Sequence, residues 1–165
     1  MTAQMGERLI YQGKEYSMCT EPLDEYFAYS GERPNFGWES TALWRGYIGS
    51  WEIIDNRLYM TALSGSLEDG TEVKLEALFP GFPDLVFAHW YTGTLHVPDG
   101  KLLNYVHAGY GSEYERDILI KVEKGVVTET TVRQNGKAKD KNAPEGCGVA
   151  AAYFFPQKPT EKQDD

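Results

Sequence analysis

The sequence predicts a mainly β protein: an antiparallel barrel-like or sandwiched sheet built from repeated hairpin units, with one or two short helices. Three observations point there. A short phrase recurs as "YQGKEYSM" (11–18), "IIDNRLYM" (53–60) and "VPDGKLLNY" (97–105). Each copy carries a residue suited to positive φ (Gly13, Asn56, Gly100), followed by Lys14, Arg57 or Lys101, as tight hairpin turns require. Later runs such as "DILIKVE" and "VVTETTV" alternate apolar and polar residues in the manner of half-buried strands.

The elements follow in order. "YQGKEY" is the first hairpin, and "PLDEYF" at 22–27 is a short helix with Thr20 as its expected cap. The second hairpin turns at Asn56; "VKLEALF" at 73–79 is a second short helix, with Thr71 as cap. In the third hairpin Pro98 and Asp99 occupy the centre of a type I turn and Gly100 makes a left-handed bulge. Tyr47, Gly49, Ser50 and Ile53 correspond to Tyr91, Gly93, Thr94 and Val97, so the unit reads strand, short helix, long strand, turn. Two strand pairs come next, with Gly109 and Gly111 as breaks and Lys124-Gly125 as a turn. A polar loop at 134–148 leads to "VAAAYFF" as a closing strand. One domain covers 1–155, and 156–165 is a polar disordered tail. A β-trefoil is the alternative raised by three units, but the helical segments count against it.

A bulged turn sets the register and hence the face of each side chain. Val97 opposite Lys101 puts His89, Tyr91, Leu95, Leu103, Tyr105 and His107 on one face of the third hairpin. The same rule puts Arg45, Tyr47, Trp51, Ile53, Tyr59 and Leu63 together in the second. Both faces run from an apolar floor to a bulky polar end, and Arg45, Tyr47, His89, Tyr91 and His107 are therefore the candidate ligand-binding residues. The competing reading is a wet rim of a β core, where Tyr, His and Arg commonly sit.

Charge narrows the partners. The net charge of −9 is concentrated at the front, where residues 1–82 hold 6 Lys and Arg against 13 Asp and Glu. That balance disfavours nucleic acid, whose phosphates need a basic surface, and permits a basic protein partner. No apolar run approaches a membrane span, no leader-like segment opens the chain, and Cys19 and Cys147 stand in unlike contexts. The expectation is a cytoplasmic protein with reduced thiols and no membrane association.

Catalytic and cofactor patterns are weak. His96 points away from His89 and His107 in this register, so no third zinc ligand is named and no metal is expected. Cys147 in "GCG" and Ser66 lack an oriented base or a nucleophile-elbow pattern. Glu113/Glu115 and Glu68/Asp69 read as solvated surface, and no phosphate-cradling glycine motif occurs, so no cofactor is expected. The enzyme question stays open, with no catalytic residue assigned.

The run "STALWRGYIGSWEIIDNRLYM" (40–60) resembles a group of bacterial proteins of unknown function that share W-R-G-Y, W-E-I and N-x-L-Y segments, and "FAHWYTGTLHVPDGKLLNYVHAGY" (87–110) is similar to a later part of that group. The resemblance implies a bacterial source, and no activity or functional residue is carried over from it. Two functions are expected from the sequence: a non-catalytic binding module for a small polar or anionic ligand, or an acidic, immunity-like protein that neutralises a basic protein partner.

Overall fold

A computed structural model describes residues 4–37, 42–106 and 110–143. Three tight hairpins organise the chain. Gln12-Gly13, Asp55-Asn56 and Lys124-Gly125 each place both turn residues at positive φ, the two-residue geometry whose twist matches that of paired strands. They join β1 (Glu7–Tyr11) to β2 (Lys14–Met18), β3 (Tyr47–Ile54) to β4 (Arg57–Gly65), and β7 (Glu113–Glu123) to β8 (Val126–Gln134).

The protein is mainly β. Its strands form one sheet in the order β2-β1-β3-β4-β8-β7-β6, with β6 spanning Gly93–Asn104 and the short β5 (Val86–Phe87) pairing with β4. β1 and β3 run parallel; the other pairs are antiparallel. The sheet is sandwich-like and does not close into a barrel. It curls until the Cys19 N–H donates to the His96 carbonyl (2.8 Å) and the His96 N–H to Thr20 Oγ1 (2.8 Å). β4 and β8 meet at the single pair Arg57–Val126, so two arms of the sheet share one seam.

α1 (Pro22–Ser30) begins on Pro22, whose ring is tolerated in a first turn, and ends at left-handed Gly31, whose N–H donates to the Phe27 carbonyl. It runs three residues beyond the expected 22–27. α2 (Leu75–Leu78) is shorter than the expected 73–79. Neither threonine caps. Thr20 serves the His96 amide instead, and Thr71 lies in a turn where its N–H donates to Asp69 Oδ1. Leu23 and Phe27 of α1 pack on Leu9, Met18, Tyr47, Trp51, Leu58, Met60, Leu95 and Ile120, all 5% exposed or less, in one core between the helix and the curled sheet.

Two registers differ from expectation. In the second hairpin the two-residue turn sets Ile54 opposite Arg57, one residue from the bulged register, so Tyr59 leaves the core face and Leu58 and Met60 take it. A bulge between Ser50 and Trp51 then absorbs one residue and returns Leu63 to the face of Tyr47. In the third copy there is no hairpin: β6 continues through "VPDGK" and pairs with β7 along its length. Gly100 does adopt the left-handed conformation (φ 84°), but as a bulge within the strand, where a Cβ would lie 2.7 Å from Arg116 and 2.9 Å from Glu115. The parallel β1–β3 pair and the long β6 replace the hairpin triplet of a trefoil. The expected closing strand 149–155, the tail and Cys147 lie outside the described residues.

Candidate functional site

Glu7 opens β1 in phase with Leu9, so strand alternation turns its carboxylate inward beside a core leucine. It is fully buried. Isolated, such a charge is prohibitive, and the fold supplies donors. Arg45, just before β3, gives Nη2–H to Glu7 Oε2 at 2.8 Å, and the Gly49 N–H donates to the same oxygen at 2.6 Å. Trp51 Nε1–H reaches Oε1 at 3.5 Å.

The network continues toward the surface. Arg45 Nη1–H donates to the Met5 carbonyl (2.7 Å) and to Tyr110 Oη (3.2 Å), and Tyr110 O–H donates to Glu21 Oε1 (2.6 Å), which lies 3.5 Å from Nη1. Alongside, the Tyr47 O–H donates to Asp24 Oδ1 of α1 at 2.5 Å, and the Arg45 guanidinium lies 5.4 Å from the Tyr47 ring centre. Burial pushes the Glu7 carboxyl up to about 7, although Arg45, Gly49 and Trp51 all favour its ionised form. Burial opposes the Arg45 charge, but Glu7, Tyr110 and Glu21 outweigh it and tighten its hold on the proton. Burial also raises Glu21, Tyr47 and Tyr110, so both phenols stay protonated as donors.

The five sequence candidates divide. Arg45 and Tyr47 stand together, but their polar ends face Glu7 and Asp24 inside the protein. Tyr91 is buried between β5 and β6, its phenol raised by burial and by Glu25 of α1. His89 is exposed, its ring edge-on to Trp90 at 5.6 Å. His107 lies outside the described residues. The partners that complete the centre, Glu7, Glu21, Asp24 and Tyr110, went unnoticed in the sequence. For Glu7 a signal existed: a carboxylate in phase with Leu9 on a strand that otherwise reads apolar inward.

A second polar cluster sits on β6, β7 and β8. His96 Nε2 lies 2.5 Å from Asp117 Oδ1, while Arg133 and Asn135 donate to Asp117 Oδ2 at 2.5 and 2.9 Å. Burial alone would raise Asp117, yet the donors Asn135, His96 and Arg133 hold it below the usual range. Among the described residues no three His, Cys, Asp or Glu side chains converge as metal ligands, and no helix is long and apolar enough to cross a membrane.

Fold and centre together define a curled, sandwich-like β protein with a buried carboxylate–guanidinium pair under one amphipathic helix. Compared with protein families, curated proteins and solved structures, the chain shows no match.

Proposed function

We propose that the protein is a non-catalytic binding protein that engages a basic protein partner, in the manner of an immunity protein, on the side formed by α1, residues 31–37, the 66–72 turn and α2. What supports this reading is a groove beside which acidic side chains collect. A depression of about 470 Å³ runs between the end of α1 and α2, with Tyr26, Glu32, Arg33 and Leu78 in its walls. Glu76 adjoins its floor residue Ala77. Next to it Glu68, Asp69 and Glu72 project from a turn that is pinned by the Phe36–Leu67 bridge and the bond from the Glu68 N–H to the Asn35 carbonyl.

The basic residues there offset little of this. Arg33, exposed in the groove wall, donates to the Arg45 carbonyl at 2.7 Å and lies over the Phe27 and Phe36 rings, and with the exposed Lys74 it stands against Glu32, Glu68, Asp69, Glu72 and Glu76. Tyr29, 77% exposed on α1, is the kind of aromatic that anchors an interface. An excess of one sign of charge around a groove steers an oppositely charged partner and makes the association rate fall with salt. Immobilised protein is expected to retain a basic protein at low ionic strength and release it with salt, and the variant E68K/D69K/E72K is expected to retain none. Retention of nothing basic, or equal retention by the triple variant, removes the reading.

One observation favours a small polar or anionic ligand instead. Arg45 Nε is buried with no hydrogen-bond partner among the described residues, while Glu21 links the centre to solvent with 26% of its side chain exposed. Glu7 already balances the Arg45 charge, which is why this reading stands second. Native mass spectrometry decides it: a species heavier than the 18.6 kDa chain by one small molecule supports it, and the bare chain overturns it.

A further inference from the structure

We infer that the outer edge of β8 is a self-association surface, on which a second copy of this chain lays its own β8 antiparallel and joins two sheets into one. β8 pairs with β7 on one side, from Val126 to Gln134. On its other side it meets β4 at Val126, with one further bond from the Val127 N–H to the Asn56 carbonyl. From 128 to 134 that side has no backbone partner among the described residues, and every residue in the stretch is exposed. Unpaired strand edges template the addition of another strand.

Among the described residues the edges at β2 and β6 are protected, whereas this one carries no such device. The ends of β2 and β6 bond to each other through Cys19 and His96, and β6 carries Pro98 and the Gly100 bulge. The β8 stretch "TETTVRQ" holds neither proline nor lysine, the residues that usually blunt an edge. Its core-side face also carries one exposed apolar side chain. Val132 pairs with the buried Ile118 and so shares its face, yet is itself 54% exposed.

Self-complementarity selects a second copy over an unrelated strand. A two-fold axis perpendicular to the sheet brings each residue opposite its mate only in residue-centred registers. The register centred on Thr131 sets Glu129 opposite Arg133 of the second copy, twice, and Thr130 opposite Val132. Centring on Thr130 or Val132 pairs neither charge with its opposite. Both side chains are available: Glu129 (53% exposed) reaches Lys121 and Arg133 (64% exposed) reaches Asp117, and Arg133 Nη1 has no partner among the described residues. Opposite charges directly across an antiparallel pair are favourable, like charges unfavourable.

The test is sedimentation equilibrium over a concentration series. The wild-type average mass is expected to rise from 18.6 kDa toward twice that value. E129R and R133E, each checked by circular dichroism for a native spectrum, are expected to stay monomeric alone and to form a mixed dimer when combined, because both positions are then basic in one chain and acidic in the other, so every cross-strand pair again joins opposite charges. Thr131→Cys, which leaves every ion pair intact, is expected to give a disulfide-linked dimer on mild oxidation in clear excess over wild type. A wild-type mass that stays at the monomer value, variants that dimerise like wild type, or no excess cross-linking at Thr131→Cys overturns the proposal.

Discussion

Glu7 and Arg45 decide how the interior responds to pH. Burying an ion pair contributes little net stability, but removing one partner strands the other charge in a low-dielectric site, a loss of roughly 3–5 kcal/mol. The folded carboxyl is raised from an ordinary value of 4.5 to about 7. A raised folded pKa means that Glu7 favours folding fully below its unfolded value, and that this contribution disappears as pH rises through the folded value. Asp117, held low, works in the opposite sense and loses its contribution only on stronger acidification. Urea midpoints of the wild type are therefore expected to fall between about pH 5 and about pH 8, and Glu7→Gln to flatten that slope. Arg45→Met is expected to lose about 3–5 kcal/mol at about pH 8 and less at about pH 5, where Glu7 takes a proton. Parallel profiles for wild type and Glu7→Gln would show that Glu7 does not titrate in this range.

At the scale of elements, what could be read in the sequence was what depends on local backbone chemistry. Gly13, Asn56 and the Lys124-Gly125 pair mark real turns because few residues tolerate positive φ, and both helices begin near their proline or leucine-rich segments. "VPDGK" misled because a bulge inside a strand draws on the same residues as a hairpin turn: Gly100 is left-handed in both. The difference lies in the next strand, since β7, "EYERDILIKVE", supplies β6 with a partner on both sides of Gly100, a long-range fact no window around Gly100 contains. The candidate site shows the same division. Arg45 and Tyr47 were found by their shared parity along the segment that leads into β3, whereas Glu7 comes from β1 through a parallel pairing and Tyr110 from far along the chain. Hairpin arithmetic cannot connect such residues. His89 was misplaced for a simpler reason, because it precedes β6 in a loop and strand alternation does not apply there.

At the scale of the whole molecule, two arms of the sheet depend on the seam where two turns dock on each other. The Leu58 N–H donates to the Gly125 carbonyl (2.8 Å), the Val127 N–H to the Asn56 carbonyl (2.7 Å), and the Gly125 N–H to the Tyr91 carbonyl (2.9 Å). Gly125 stands at φ 83°, and a Cβ there would lie 2.8 Å from the Ala88 carbonyl oxygen and from the Phe87 ring. Gly13, at φ 76°, has open space around it and serves as the control for backbone strain alone. Gly13→Ala is expected to cost about 1–2 kcal/mol, the strain of a left-handed alanine. Gly125→Ala carries the same strain plus a clash with backbone that cannot move without opening the seam. Its cost is expected to exceed that of Gly13→Ala by at least about 1 kcal/mol, and its urea transition to broaden as the arms lose their coupling. Equal midpoints and equal slopes for the two alanine variants would mean that the arms are held by the shared core under α1, and that the paired turns add nothing.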